Sequence, residues 1–157
     1  MCELIDGKLA SGGEDRSIRI WSENNNLFKC CDILNAHKSR VSAITQLSDG
    51  KLITAGGADI IVFKLIGDNY VRIQTKIAHQ SNITGLLKLR NGCVASYSRD
   101  KRIRIWEINR NDELVKKEVL KEHSHSVYDM IELNDGRLAS VGGDNVVIIW
   151  KSGTMIE

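Results

Sequence analysis

LASGGEDRSIRIW (residues 9–21) returns as VASYSRDKRIRIW (residues 94–106) and again as LASVGGDNVVIIW (residues 138–150), with a worn copy, LITAGGADIIVF (residues 52–63), between the first two. The closing aromatics Trp21, Phe63, Trp106 and Trp150 are 42, 43 and 44 residues apart. A near-fixed period in this range marks a modular array, in which each unit buries its apolar face against its neighbours. The period decides the fold before any single residue does. It also moves the functional question from a catalytic group to a surface, because arrays of short strands present their loops to partners.

The fourth copy carries every element of the unit. SVYDMIEL (residues 126–133) alternates, placing Val127, Asp129, Ile131 and Leu133 on one face and Tyr128, Met130 and Glu132 on the other. The first set reads as the core face, imperfectly apolar at Asp129. NDG (residues 134–136) is a turn signal, because Asn, Asp and Gly tolerate positive φ. The strand RLAS, the tight turn GGDN (residues 142–145) and the β-branched run VVIIW follow. That last run suits a strand packed on both faces. A fourth strand per period falls in LFKCCDIL (residues 27–34), YVRIQTKI (residues 70–77) and ELVKKEVL (residues 113–120). The last is rich in helix formers, but its counterparts are β-branched or aromatic, and repeats share one structure. Four antiparallel strands per period are those of a propeller blade, so the predicted class is all-β.

The register of these copies resembles that of WD-repeat β-propellers over nearly the whole chain. His79 and His123 each lie 27 residues before their closing Trp, and His37 lies 26 before Phe63. The family's Gly-His pair is replaced by Ala36-His37, Ala78-His79 and Glu122-His123, and the Asp after the Trp by Ser22, Lys64, Glu107 and Lys151. The resemblance implies one array over residues 1–157, with blades at about residues 1–34, 35–77, 78–120 and 121–157. Blade 1 lacks most of its first strand, since residues 1–4 align with residues 130–133, and blade 4 lacks a clear last strand. The expectation is a partial ring of about four blades. It would be completed by further sequence of a larger propeller, or by a second copy joined head to tail in a homo-oligomeric ring of about eight.

A polar set recurs with the strands: His79, Ser96, Asp100 and Trp106; His123, Ser140, Asp144 and Trp150; and the partial sets Ser11, Asp15, Trp21 and His37, Thr54. Ser, His and Asp invite a nucleophilic reading. A catalytic triad occurs once per site, however, whereas this set repeats and includes an indole N–H that a triad does not use. Satisfaction of buried polar groups explains it better, with Asp holding His, His bonding Ser and Ser accepting from Trp. The resemblance implies the same tetrad, riveting each blade. The worn copy has Phe63, which has no N–H, and Gly57 at the acid's distance from the closing aromatic, with Asp59 nearby as a partial substitute. Its blade is expected to be the least rigid.

Composition leaves several classes unsupported. A net charge of +2, from 22 basic and 20 acidic residues, gives no field that would draw nucleic acid or an anionic membrane. The basic cluster Arg99, Lys101, Arg102 and Arg104 has only Tyr97 for stacking, so it reads as a solvated rim to which an acidic peptide could dock. Apolar runs are strand-sized and the N-terminus has no signal-peptide pattern, which points to the cytoplasm, the nucleus not being separated from it. Cys2, Cys30, Cys31 and Cys93 form no CxxC pair and read as reduced packing thiols. His123-x-His125 lacks further ligands at metal spacing, and the Gly-Gly pairs precede no helix, so neither a metal nor a phosphate cofactor is expected.

The function expected is a non-catalytic scaffold for peptide or protein partners. In the resembled family, partners contact the start of the innermost strand and the residue before the tetrad Asp. Carried over, these positions are Arg40, Ser42, Asn82, Thr84, Ser126, Tyr128, Glu14, Arg99 and Gly143. Tyr128 and Arg99 are of the types enriched at hot spots. The alternative is a self-assembling repeat module with no external ligand. An enzyme has least support, since no acid, base or nucleophile stands outside the repeat.

Overall fold

The computed structural model describes residues 1–151. Among these there are fifteen strands in four antiparallel sheets and no helix. The chain divides into two compact units, Met1–Ala78 and His79–Glu157.

In the first unit, sheet 1 runs in the order β1 (Cys2–Glu3), β2 (Leu9–Gly12), β3 (Ser17–Asn24) and β4 (Leu27–Asn35). Sheet 2 contains β5 (Val41–Gln46), β6 (Leu52–Gly56), β7 (Asp59–Ile66) and β8 (Asn69–Ile77). In the second unit, sheet 3 contains β9 (Ile83–Lys88), β10 (Val94–Ser98), β11 (Ile103–Ile108) and β12 (Leu114–Leu120). Sheet 4 contains β13 (Val127–Glu132), β14 (Leu138–Gly142) and β15 (Val147–Trp150). Strands are hydrogen-bonded to their sequence neighbours throughout. The question of a fourth strand after β15 falls on residues 152–157, outside the described residues. The helix-forming segment at 114–120 is a strand, because its ladder with β11 satisfies the backbone from Ile103↔Leu120 to Ile108↔Leu114.

The turn between the first two strands has one construction in all four sheets. Leu4, Leu47, Leu89 and Leu133 each accept from the amide of the glycine three residues on, and Gly7, Gly50, Gly92 and Gly136 have φ of 80°, 84°, 86° and 84°. A side chain there would be strained, which is why glycine recurs at this point.

Two register features correct the alternation read from the sequence. First, the inner ladders of sheets 2, 3 and 4 each carry a bulge one residue into the strand: the register shifts between Val41 and Ala43, between Ser98 and Tyr97 opposite Ile83 and Gly85, and between Val127 and Asp129. Ser42, Thr84 and Tyr128 are therefore extra residues, and the face assignment reverses beyond them. Val127 and Met130 are buried together, whereas Ile131 is 54% exposed, so the expected Val127/Asp129/Ile131 face is not the core face. Second, the run VVIIW is not packed on both sides: Val147 is 66% and Ile149 44% exposed.

Each unit has its own core. In the first, Ala10, Ile18 and Ile20 of sheet 1 pack with Val41, Leu52, Ile61 and Phe63 of sheet 2. In the second, Ala95, Tyr97, Ile103 and Ile105 of sheet 3 pack with Val127, Met130, Leu138 and Trp150 of sheet 4. The repeat thus packs by one rule: the Ala/Ile face of one sheet lies on the Leu/aromatic face of the next.

Candidate functional site

The recurrent polar residues meet because β-pairing places them side by side. Ser96 and Arg104 are opposite one another on β10 and β11, Ser140 opposes Ile148, and the His comes from the segment entering each inner strand. In sheet 3, Trp106 Nε1 donates to Ser96 Oγ at 2.8 Å. Indole nitrogen only donates, so the Ser hydroxyl proton is left for His79 Nε2, at 2.7 Å. That fixes the proton of a neutral imidazole on Nδ1, which lies 3.0 Å from both oxygens of Asp100. Sheet 4 repeats the chain: Trp150 to Ser140 at 2.8 Å, His123 Nε2 with Ser140 at 2.8 Å, and His123 Nδ1 with Asp144 at 2.8 Å. In both, the acid also accepts the amide of the residue after His, Gln80 at 3.0 Å and Ser124 at 2.9 Å.

Charge follows geometry. Burial, offset only in part by the bond to Asp100, pulls the His79 pKa from 6.5 to about 4. The ring is neutral at physiological pH. Burial alone would raise Asp100, but hydrogen bonds from Gln80, His79 and Arg104 outweigh it and hold the carboxyl below its ordinary value. Ser96 and Ser140 are fully buried and each is already bonded to His and Trp, so neither hydroxyl faces a substrate. The arrangement joins strands; it presents no nucleophile.

The other two sheets carry fragments. In sheet 1, Trp21 donates to Ser11 at 2.8 Å, and Asp15, with no His, turns to Ser17 and to Arg19 at 2.8 Å. In sheet 2, His37 Nε2 bonds Thr54 at 2.8 Å. His37 Nδ1 is buried without a partner among the described residues, so Asp59 does not replace the missing acid. Burial again lowers the pKa of His37, against a smaller opposing effect of the Asp59 charge.

Several working residues were not singled out from the sequence. Arg104, assigned to a solvated rim, is largely buried and pairs with Asp100 at 2.9 Å, as Arg19 does with Asp15. Its i+4 spacing from the acid in two copies is the signal. Arg99 and Lys101 do project from the surface, and Tyr97 is buried with its hydroxyl donating to Asp129 at 3.1 Å, unavailable for stacking. Ser98 stands where other copies have Gly13, Gly56 and Gly142, and its Oγ donates to Ser81 O at 3.1 Å and Asn82 O at 3.0 Å. A further pair joins neighbouring sheets within each unit: Ile5 N donates to Gln46 Oε1 at 2.7 Å, and Arg90 N to Glu132 Oε2 at 2.8 Å. These positions are equivalent in the repeat, and the signal is a polar side chain ending each inner strand.

The nine positions carried over as a partner face fall at the start of the inner strands and in the turns beside them. In the first unit Glu14 and Arg40 form an exposed ion pair at 3.5 Å, and Ser42 Oγ donates to Ala55 O at 3.3 Å. In the second, a continuous strip forms. Arg99 N donates to Asn82 O at 2.9 Å and Gly143 N to Ser126 O at 2.8 Å, while Thr84 Oγ1 spans sheets 3 and 4 by bonding Val127 O at 2.6 Å. Tyr128, on its bulge, is 55% exposed. A Cβ on Gly143 would come within 2.9 Å of the Tyr128 hydroxyl and 2.4 Å of His125 Nδ1, so the absent side chain lets both rings lie over the turn. Among the described residues no group of three or more His, Cys, Asp or Glu could hold a metal ion, and no helix is long and apolar enough to cross a membrane.

Serial antiparallel sheets of three or four strands, with a Trp–Ser–His–Asp chain at matching points in two of them and parts of it in the others, define a β-propeller repeat protein. A family model described as WD domain, G-beta repeat, matches residues 4–22, 28–63, 68–107 and 114–151, and the chain belongs to this family. It is 23% identical over 155 residues to an uncharacterised WD repeat-containing protein of Schizosaccharomyces pombe, covering 95% of this chain and 41% of that one. It is 26% identical over 152 residues to the nuclear distribution protein nudF of Aspergillus niger, covering 91% and 32%. A chain in the crystal structure of the mitotic checkpoint complex superposes with a TM-score of 0.78 at 24% identity, over 93% of this chain and 48% of that chain. The chain therefore spans less than half the length of each of these relatives.

Proposed function

We propose that this chain is a non-catalytic scaffold whose second unit binds a peptide or protein partner through the strip containing Asn82, Thr84, Arg99, Ser126, Tyr128 and Gly143. Proteins of its family are typically interaction scaffolds rather than enzymes. The observation that carries the reading is Tyr128: a large amphipathic ring lifted from the ladder by a bulge, 55% exposed, above a glycine that leaves room for it. Rigidly held Tyr is the side chain that gives contact area at low entropic cost, and Arg99 adds a guanidinium for carboxylates. Glu14, Arg40 and Ser42 form the corresponding positions of the first unit. The test is affinity capture from lysate with the wild-type chain and with a Tyr128→Ala/Arg99→Ala variant whose fold is checked by circular dichroism. Proteins captured by the first and lost from the second support the reading; equal capture by both defeats the choice of face.

We also infer self-association, which the half-buried Leu9 and Trp21 and the exposed Val147 and Ile149 favour. The cytoplasm or nucleus is the compartment we assign, in keeping with four free cysteines, two of them adjacent and exposed.

A further inference from the structure

Sheet 2 keeps the seat of a carboxylate without the acid that sits there in sheets 3 and 4. Asp100 and Asp144 each accept from two donors of the segment entering the inner strand. One is the imidazole, with His79 Nδ1 at 3.0 Å and His123 Nδ1 at 2.8 Å; the other is the next amide, Gln80 N at 3.0 Å and Ser124 N at 2.9 Å. The counterparts of these donors in sheet 2 are His37 Nδ1 and Lys38 N. The acids stand six residues before Trp106 and Trp150, whereas six residues before Phe63 stands Gly57.

His37 is 8% exposed, and its Nδ1 is buried without a partner among the described residues. The Thr54 hydroxyl donates to His37 Nε2 at 2.8 Å in preference to Ile61 O at 3.5 Å, which leaves the ring proton on Nδ1, the tautomer that faces Asp100 in sheet 3. A buried donor left unmet is costly, so a ligand that brings an acceptor to it is favoured. The approach runs over two glycines. A Cβ at Gly56 would lie 2.6 Å from His37 Nδ1, so any side chain there would cap the nitrogen. A Cβ at Gly57 would meet, beyond its chain neighbours, only the Oγ and Cβ of Ser39 within 4 Å. Ser39 is exposed, and its hydroxyl can turn to become a third donor. Lys38 and Arg40, exposed on the same segment, favour an anion; against them stand Glu14, paired with Arg40 at 3.5 Å, and Asp59, whose charge reaches His37.

We propose that sheet 2 binds the carboxylate of a ligand at His37 Nδ1, Lys38 N and Ser39 Oγ, in the way that sheets 3 and 4 hold their own Asp side chains. The site lies in the first unit, on the segment that carries Arg40 and Ser42, and is independent of the Tyr128 strip. The seat is built around a carboxylate on a short stem, since an Asp side chain fills it in two other sheets of the same chain. A free small acid and the Asp side chain of a peptide offer that same group.

The experiment follows the ring nitrogens of His37 and the amides of Lys38, Ser39 and Gly57 by nitrogen-edited NMR of the full chain. Sodium acetate, a blocked Gly-Asp-Gly peptide or its Gly-Asn-Gly counterpart is added, with sodium chloride at matched ionic strength as the reference. Acetate, the Asp peptide or both are expected to shift these signals to saturation. The Asn peptide is expected to bind roughly 10- to 100-fold more weakly than the Asp peptide, the worth of a charge-assisted hydrogen bond. Gly57→Asp supplies the carboxylate from within the chain, because Asp tolerates the φ of 60° found there, and is expected to abolish the shifts. Saturation by acetate alone assigns a free small acid, and saturation by the Asp peptide assigns a peptide partner; both uphold the seat. It is overturned if neither carboxylate shifts the signals beyond the chloride reference, if the Asn peptide binds as tightly as the Asp peptide, or if Gly57→Asp binds as the wild type does.

Discussion

Ser96→Ala tests whether the polar chain is a structural rivet. Ser96 Oγ receives Trp106 Nε1–H at 2.8 Å and bonds His79 Nε2 at 2.7 Å, and Ser96 is 0% exposed. Alanine fits the same space, so the cost is the loss of a partner by two buried groups rather than a packing defect. Leaving a buried donor or acceptor without its partner costs about 1–3 kcal/mol each, so the variant loses about 3 kcal/mol. For a domain of this size that corresponds to roughly 10 °C in Tm. Sheet 2 supplies the control background, because Phe63 already lacks the indole donor. In a Trp106→Phe chain only His79 loses a partner on Ser96→Ala, and the cost drops to about half. Urea unfolding followed by circular dichroism, with all four chains of the cycle, measures both numbers. A Ser96→Ala cost below about 0.5 kcal/mol, or equal costs in the two backgrounds, refutes the chain of bonds as the source of stability.

His79 also makes the second unit acid-sensitive. Its folded pKa of about 4 lies below the 6.5 of the unfolded chain, so the unfolded state binds the extra proton between those values. Stability contributed by the neutral ring is present above pH 6.5 and is lost as the pH falls toward 4, by about 3 kcal/mol, readable as a falling urea midpoint; a flat midpoint over that window would contradict the buried neutral imidazole. Hydrogen exchange should show β5 to β7 less protected than β9 to β11, since His37 Nδ1 has no partner; equal protection would mean that the apolar packing of Ile61 and Phe63 compensates fully. Gly12→Ala should destabilise the first unit by about 1–3 kcal/mol in thermal unfolding, because the added Cβ would lie 2.5 Å from Val41 Cγ1 and force sheets 1 and 2 apart.

Much of the fold was readable because the repeat overdetermines it. Four copies of one strand-turn-strand register fixed the sheets, and the recurrence of His, Ser, Asp and Trp at constant offsets separated a bonded chain from a triad. What a period-two reading could not see was the bulge, because nothing in the residue types at Ser42, Thr84 and Tyr128 marks them as extra. In β13, the one inner strand whose faces were read, the residues beyond Tyr128 were consequently assigned to the wrong face, as Met130 and Ile131 show. Arg104 was misplaced for a different reason. Its charge suggested solvent, whereas an acid four residues earlier let it be drawn in. The Gln46 and Glu132 stitches needed knowledge of which sheet lies beside which. The partner-face positions were carried over by resemblance alone, and the feature that makes Tyr128 stand out, a bulge over Gly143, is visible only in three dimensions.

A photoreactive phenylalanine analogue placed at position 128 tests the scaffold reading most directly, with the same group at Leu65, an exposed position of β7, as the control. Irradiation in lysate should yield a discrete protein adduct from position 128 and none from position 65. Adducts from position 65 alone, or the same adducts from both, would contradict a partner-binding strip at Tyr128.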